Sequence, residues 1–306
     1  MNVLSLFDGM SCGQIALNRA GIKYSNYYAA EIDKSAIEIC QKNYPKTIQL
    51  GDIRHIKGDA LPKIDLLIGG SPCTGFSKAG KGLNFEDPQS ILFFEFVRLL
   101  RECNPDYFLL ENVEMKKEWQ AVISKYMGVE PILINSALVS AQNRKRLYWT
   151  NLERRNPIKD KKILLKDVLE GSTTGSRIAI KPPLKIRKVQ NGWGAISTCL
   201  IVTEATKTGF VEVENGCCFD YTQPKSKNRR GRLMRHKSNT LTTSHSYMRY
   251  EHPFYRKLTP IECERLQTVP DNYTKGVSTA QRYKMLGNGW TVDVVSHILS
   301  HLEEKR

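Results

Sequence analysis

The stretch "VLSLFDGMSCGQIALNRAG" (residues 3–21) decides the fold. It opens with an apolar run of strand length. Gly9 then interrupts the run, and "CGQIALNRAG" carries helical spacing with Gly21 just past its end. Strand, glycine-spaced loop and helix form the start of a ligand-binding βα unit. Glycines let a ligand approach the backbone, and a helix N-terminus offers free N–H groups. The full GxGxxG is missing, so nothing here demands a pyrophosphate. That argues against a nicotinamide oxidoreductase and for an adenosine-bearing ligand without pyrophosphate.

The same alternation continues outward. "YYAAEI" (27–32) reads as a strand and "KSAIEICQKNY" (34–44) as a helix stopped by Pro45. "IDLLIGG" (64–70), "YFLLENV" (107–113), "PILINSALV" (131–139) and "RLYWTNL" (146–152) read as further strands. "PQSILFFEFVRLLREC" (88–103) and "EWQAVISKYMG" (118–128) read as helices. The spacing predicts an α/β fold, a Rossmann-like, doubly wound and mostly parallel sheet with helices on both faces. Past residue 155 the pattern gives way to short β-like runs, "CLIVTEAT", "GFVEVE" and "SNTLTTS", broken by Gly, Pro and basic clusters. Helices return in "TPIECERLQTVP", with Thr259, Pro260 and Glu262 as a capping box, and in "STAQRYKML", with Ser278 and Gln281 as a second. The division expected is a catalytic unit of residues 1–165 plus 280–306 and a smaller, irregular β-rich unit of 166–279.

The formal charge of the 306 residues is +15, and it is uneven. Residues 1–150 carry 18 basic and 16 acidic side chains, whereas 181–257 alone carry 15 and 5. A polyanion is the expected partner of the second half. No apolar run reaches the roughly 20 residues of a membrane span, so a soluble, cytoplasmic protein is the default. The eight cysteines include no CxxC pair, which argues against zinc and leaves most of them as small buried hydrophobes.

Acidic groups end three of the strands. Glu31, Asp33 and Asp52 stand where carboxylates can receive ribose hydroxyls, or simply cap the next helix. Glu111 and Asn112 end another strand. Cys73 follows "LLIGG" in a loop with Lys78 and Lys81, a setting that favours a thiolate. In "SAQNRKRLYW" (140–149), Gln142, Arg144 and Arg146 alternate onto one face if the stretch is extended. Gathered guanidiniums call for an anion or polar ligand, although a surface ion-pair ladder is the plainer alternative.

Taken in order, "FDGMSCG", "EID", "GDI", "GGSPC", "ENV", "QNRKR" and "GNGWTV" resemble the motif series of the DNA cytosine-5 methyltransferases, especially the animal de novo enzymes and short phage or bacterial members. "RKLTPIECERLQTVPDNY" (256–273) resembles the block before the family's last motif. The resemblance covers residues 1–152 and 256–300, and it leaves the middle as a target-recognition region. It implies that Cys73 attacks carbon 6 of a flipped cytosine. Glu111 holds the exocyclic amine and protonates nitrogen 3, Arg146 contacts the base carbonyl, and Arg144 supports the loop or a phosphate. It implies an S-adenosyl-L-methionine pocket of Phe7, Asp8, Gly9, Gly13, Glu31, Ile32, Asp52, Ile53 and Ser71, closed by Asn288, Trp290 and Thr291. Ser77, Asn112, Gln142, Arg232, Arg235 and Thr240 are the expected contacts to double-stranded DNA. The dense run "NRRGRLMRHK" (228–237) reads as phosphate-gripping, and a monomer without metal is expected. One departure stands out: Thr74 follows the Pro-Cys pair where the family has Gln or Asn, which bears on how the loop meets the base. Two other readings are a tRNA cytosine-5 methyltransferase and a catalytically silent DNA-binding regulator.

Overall fold

A computed structural model describes residues 1–72, 88–153, 156–171, 176–182, 184–190, 196–226, 228–244 and 246–302. The first half builds β1 (Asn2–Leu6), α1 (Cys12–Arg19), β2 (Asn26–Ala30), α2 (Lys34–Asn43), β3 (Ile48–Gln49), β4 (Leu66–Gly69), α3 (Pro88–Cys103), β5 (Tyr107–Val113), α4 (Lys117–Met127), β6 (Ile132–Asn135) and β7 (Lys145–Thr150). These strands form one sheet in the order β3-β2-β1-β4-β5-β7-β6. The first five are parallel neighbours, and β7 inserts antiparallel between β5 and β6. The chain leaves β1 toward one side and β4 toward the other. The crevice beyond their carboxyl ends is therefore the topological switch point of the sheet.

Local chemistry fixes the ends of these elements. Asp33 caps α2, accepting from the N–H groups of Ser35 and Ala36 at 3.0 and 3.4 Å. The strand expected over 131–139 stops at Asn135. There the side-chain oxygen accepts from Ala137 N and Arg144 N, turning the chain into a 3-10 turn at Ser136–Leu138. Gly13 faces the sheet: a Cβ there would lie 2.5 Å from the Tyr27 hydroxyl and 2.6 Å from Ile68 Cδ1. Its lack of a side chain lets α1 lie close on the strands.

The two faces of the sheet bury separate apolar clusters. Leu6, Leu67, Phe93, Phe96, Leu110 and Trp149 lie on one side, and Val3, Ile15, Leu66, Ile68 and Val295 on the other. The second cluster also takes in α5 (Leu165–Val168) and residues from α6 (Pro260–Leu266), α7 (Thr279–Asn288) and α8 (Val292–Leu299). Leu258, Cys263, Leu266, Val269 and Tyr273 thus pack with the helices of the sheet. The capping box of α6 is complete, whereas Ser278 accepts from Gln281 N with no reciprocal contact from the Gln281 carbonyl oxygen.

The region between is built of β8 (Arg177–Ala179), β9 (Lys185–Gln190), β10 (Ile196–Thr203), β11 (Phe210–Glu214), β12 (Cys218–Asp220), β13 (Leu233–Met234), β14 (Tyr247–Glu251) and β15 (Phe254–Lys257). They form a three-stranded sheet, β11-β10-β9, and a five-stranded one, β13-β12-β14-β15-β8. Leu200, Val202, Phe219, Tyr250 and Tyr255 form its own core. "SNTLTTS" is not a strand. It is a loop whose single ladder contact is the bridge of Ser238 to Gln142. No helix among the described residues is long and apolar enough to cross a membrane.

Candidate active site

The glycine loop at the end of β1 is tightly wound. Phe7, Gly9 and Ser11 have φ of 59°, 58° and 65°. For Phe7 and Ser11 that left-handed backbone costs roughly 1–3 kcal/mol each, strain that persists only where the surroundings enforce it. Enforcement comes from Glu31 at the end of β2. One of its carboxylate oxygens accepts from Gly9 N at 2.7 Å, and the other from Ile32 N and Asp33 N at 2.8 Å. Asp8, inside the loop, is buried. Its Oδ1 accepts from the Tyr27 hydroxyl at 2.7 Å, and its Oδ2 has no hydrogen-bond partner. Burial pushes its carboxyl up to about 6, against the nearby hydroxyls of Ser5, Tyr27 and Ser11. Beside them Ile32 is 70% exposed, an unusual state for an isoleucine at a strand edge.

Farther along the edge, Asp52 caps the turn at Ile53–His55 and is gripped by the Arg54 guanidinium, which holds its carboxyl down at about 2. Ile53 corrects an expectation: its side chain packs in the core cluster with Phe96 and Leu110. At the other end of the site, Trp290 is 9% exposed and Thr291 donates to Gln267 Oε1 at 2.9 Å, while Asn288 is exposed. The indole reaches the crevice because residue 70 is glycine. A Cβ there would lie 2.9 Å from Trp290 Nε1 and 3.0 Å from Glu111 Oε2.

Glu111 and Arg146 form the charged centre of the site. They sit diagonally on the antiparallel pair β5–β7, where Glu111 is opposite Tyr148 and Arg146 opposite Val113. Their ion pair is 2.9 Å, with side chains 11% and 13% exposed. Arg146 also donates to the carbonyl of Lys145 at 2.8 Å. Next to them Asn112 is buried, donating to Ser71 Oγ at 3.1 Å and accepting from Val113 N. Asn112 therefore anchors the chain just before Cys73 and does not reach out to a substrate. Cys73 and Ser77 themselves lie outside the described residues. A concavity of about 390 Å³ opens beside Arg146, lined by Asn135, Asn143, Lys145, Thr240, Val113 and Glu114. That is within the usual range for a small-molecule or nucleotide pocket.

Several expected contacts turn inward. Gln142 is fully buried and bonds Leu266 O, Gln267 Oε1 and Leu241 N. Arg144 is 3% exposed and donates to the carbonyls of Leu241, Gly287 and Gly289. Burial lowers its guanidinium to about 10. Its Nη hydrogen bonds all go to carbonyls of the chain itself, which leaves them unavailable to a phosphate. Arg232, expected to contact DNA, is fully buried and donates to the carbonyls of Asp220, Thr222 and Gln223. Within the run 228–237, Arg229 pairs with Asp220, Arg235 with Glu214, and Lys237 donates to three carbonyls. Arg232 and Lys237 are thus held by carbonyls of the chain itself, whereas Arg230 and Arg235 are exposed, the latter in a surface ion pair. Thr240 donates to Asn143 O at 2.6 Å and lines the concavity. Two residues escaped the sequence reading: Tyr27, which holds Asp8, and Gln267. Neither carries a spacing signal, since each acts through a tertiary hydrogen bond.

The sheet order and the accompanying β-rich unit define the class, a Rossmann-like class I methyltransferase fold. The family profile described as C-5 cytosine-specific DNA methylase matches residues 1–304, and the chain belongs to that family. It is 28% identical to the type II methyltransferase M1.ScrFI of Lactococcus lactis subsp. cremoris over 335 residues, covering 99% of this chain and 78% of that protein. It is likewise 28% identical to type II methyltransferase M.FnuDI of Fusobacterium nucleatum over 336 residues, covering 99% and 94%. Spodoptera frugiperda DNMT2 shares the fold, with a TM-score of 0.61 at 19% identity over 98% of each chain. Membership carries the activity, methylation of carbon 5 of a cytosine flipped out of duplex DNA through a covalent adduct, and with it dependence on S-adenosylmethionine.

Proposed function

We propose that Cys73, Glu111 and Arg146 carry out this methylation in the crevice at the carboxyl ends of β4 and β5 and the amino end of β7. The observation that carries the assignment is the buried Glu111–Arg146 pair at 2.9 Å, beside the Asn112–Ser71 anchor that leads into Cys73. Cytosine carbon 5 is a weak nucleophile. Addition of the Cys73 thiolate at carbon 6 breaks the 5,6 double bond and raises electron density at carbon 5. A proton delivered to nitrogen 3 by Glu111 stabilises the adduct, and Arg146 binds the base carbonyl. Since these two groups touch each other before a base arrives, the cytosine must enter between them or displace one. Once carbon 5 carries the methyl group, loss of its hydrogen as a proton to a base such as water lets the C–H electron pair re-form the 5,6 double bond and expel the Cys73 thiolate. The base cannot be reached inside a duplex and must be turned out, at a cost of a few kcal/mol.

The residues of the switch-point crevice fit S-adenosylmethionine. The unpartnered oxygen of buried Asp8 suits the ammonium of the methionine moiety. The exposed face of Ile32 suits the adenine ring, and Glu31 retains acceptor capacity for the ribose. Asn288, Trp290 and Thr291 form the opposite lip, with Phe7 and Gly9 beneath. When bound, the group supplies an electrophilic methyl on a sulfonium. Asp52 is assigned to the same pocket, on the condition that the Arg54 grip yields to the ligand. The β-rich unit, from about residue 176 to 257, reads the DNA. Because Asp8, Glu111 and Arg146 all come from one chain, a single copy suffices.

The test is incubation with methyl-labelled S-adenosylmethionine and either duplex DNA or tRNA. Label enters duplex DNA, and Cys73→Ser abolishes its incorporation while the protein still binds DNA. Label entering tRNA alone, or transfer by the variant at the parent's rate, overturns the assignment.

A further inference from the structure

The loop lining the Arg146 concavity and the lip assigned to the cofactor meet in one buried network. At its centre is Gln267, fully buried in the turn after α6. Its amide uses its whole capacity. Nε2 donates to Leu286 O at 2.7 Å and Gly289 O at 3.1 Å, and Oε1 accepts from Thr291 Oγ1 at 2.9 Å and Gln142 Nε2 at 3.2 Å. Gln142 Oε1 accepts from Leu241 N at 2.7 Å, and Arg144 Nη1 donates to Leu241 O at 3.1 Å. Both polar backbone atoms of Leu241 are therefore held by residues 142 and 144. The other arm of Arg144 reaches Gly287 O and Gly289 O at 3.3 and 3.0 Å. Gly289 O thus receives hydrogen bonds from Arg144 and from Gln267.

Shape reinforces this wiring. A Cβ on Gly287 would lie 2.4 Å from both Thr242 C and Thr243 N. Only glycine lets the loop 240–243 lie flat on α7. Separating the loop from the lip would strand buried donors and acceptors, each costly to leave unpaired. Neither can shift alone while the network holds.

We propose that Gln267 and Arg144 are positioning residues that couple the DNA-facing loop 238–244 to the cofactor lip 287–291, so that a ligand settling against the lip also orders the loop. The proposal rests on the cofactor reading given above. A purely structural role for the same bonds predicts loss of stability without any transmission between the two places.

Hydrogen–deuterium exchange on the full chain separates these, with S-adenosylhomocysteine as the probe and no DNA present. In the parent protein, saturating probe slows exchange of the 238–244 amides about tenfold, a typical coupling size, and by more than it slows those of β10 and β11. In Gln267→Met the probe still binds by calorimetry, but the extra protection at 238–244 is lost. Arg144→Lys, which cannot reach the loop and the lip together, gives the same loss and covers the case in which Gln267→Met does not fold. Binding without extra protection in the parent, or equal protection in both variants, overturns the coupling. Failure of the parent to bind the probe overturns the cofactor reading, and the coupling with it.

Discussion

Charge is used in opposite ways at the sheet edge and in the β-rich unit. In the unit, Arg232 gives its Nη hydrogens to three carbonyls and keeps only Nε without a partner, and Arg256 is fully buried against Glu262, itself fully buried, at 2.7 Å. At the edge, Asp8 keeps an oxygen without a partner, and Arg146, paired with Glu111, lines a concavity. A buried ion enclosed on all sides by its own chain holds a shape, whereas one that borders a concavity can also receive a ligand. Arg232 and Arg256 are fully enclosed, and Arg146 lines open space.

Substitutions can test that contrast. Glu111→Gln keeps the size of the side chain and removes its proton chemistry. The turnover number is expected to fall by about 10²–10⁴-fold with the unfolding midpoint in urea little changed. A fall in stability matching the loss of activity would put Glu111 with the scaffold charges instead. Arg256→Met should do the reverse. Leaving Glu262 buried without its partner costs about 3–5 kcal/mol of stability, read from urea unfolding, while activity per folded molecule is retained. Glu262→Gln added to that variant should recover part of the loss.

The mildest test concerns Asp8, whose carboxyl is raised from 3.8 to about 6 by burial. Between about pH 4 and pH 6 the folded protein keeps a proton that the unfolded chain has released, so stability falls as pH rises through that window. Asp8→Asn removes this penalty. It should stabilise the protein by up to about 3 kcal/mol at pH 8, with the difference closing near pH 4, and it should weaken S-adenosylmethionine binding. Parallel stability curves for parent and variant across that range would show that Asp8 is not strained by its burial.

Much of the sheet was readable because each βα element signals itself locally. The stretches 88–103 and 107–113 were bounded as found, and Thr259 announced its own capping box. Glu111 could be read as an acid ending a strand, and the resemblance gave it a role on the base; its pairing with Arg146 came only from the fold. Arg144 and Arg232 could not be resolved that way. In sequence, an arginine bound for a carbonyl looks the same as one bound for a phosphate, and its partners lie 97 to 145 residues away for Arg144 and about ten for Arg232. The patterning of "SNTLTTS" misled for a related reason. Its residues have strand propensity, but Gln142 and Arg144 claim the backbone of Leu241 that a ladder would need.

Ile32 has a thermodynamic consequence. A side chain left 70% open beside the crevice keeps apolar surface hydrated until something covers it. Its removal from water would give ligand association a negative heat-capacity change, so that the enthalpy of binding grows more favourable with warming.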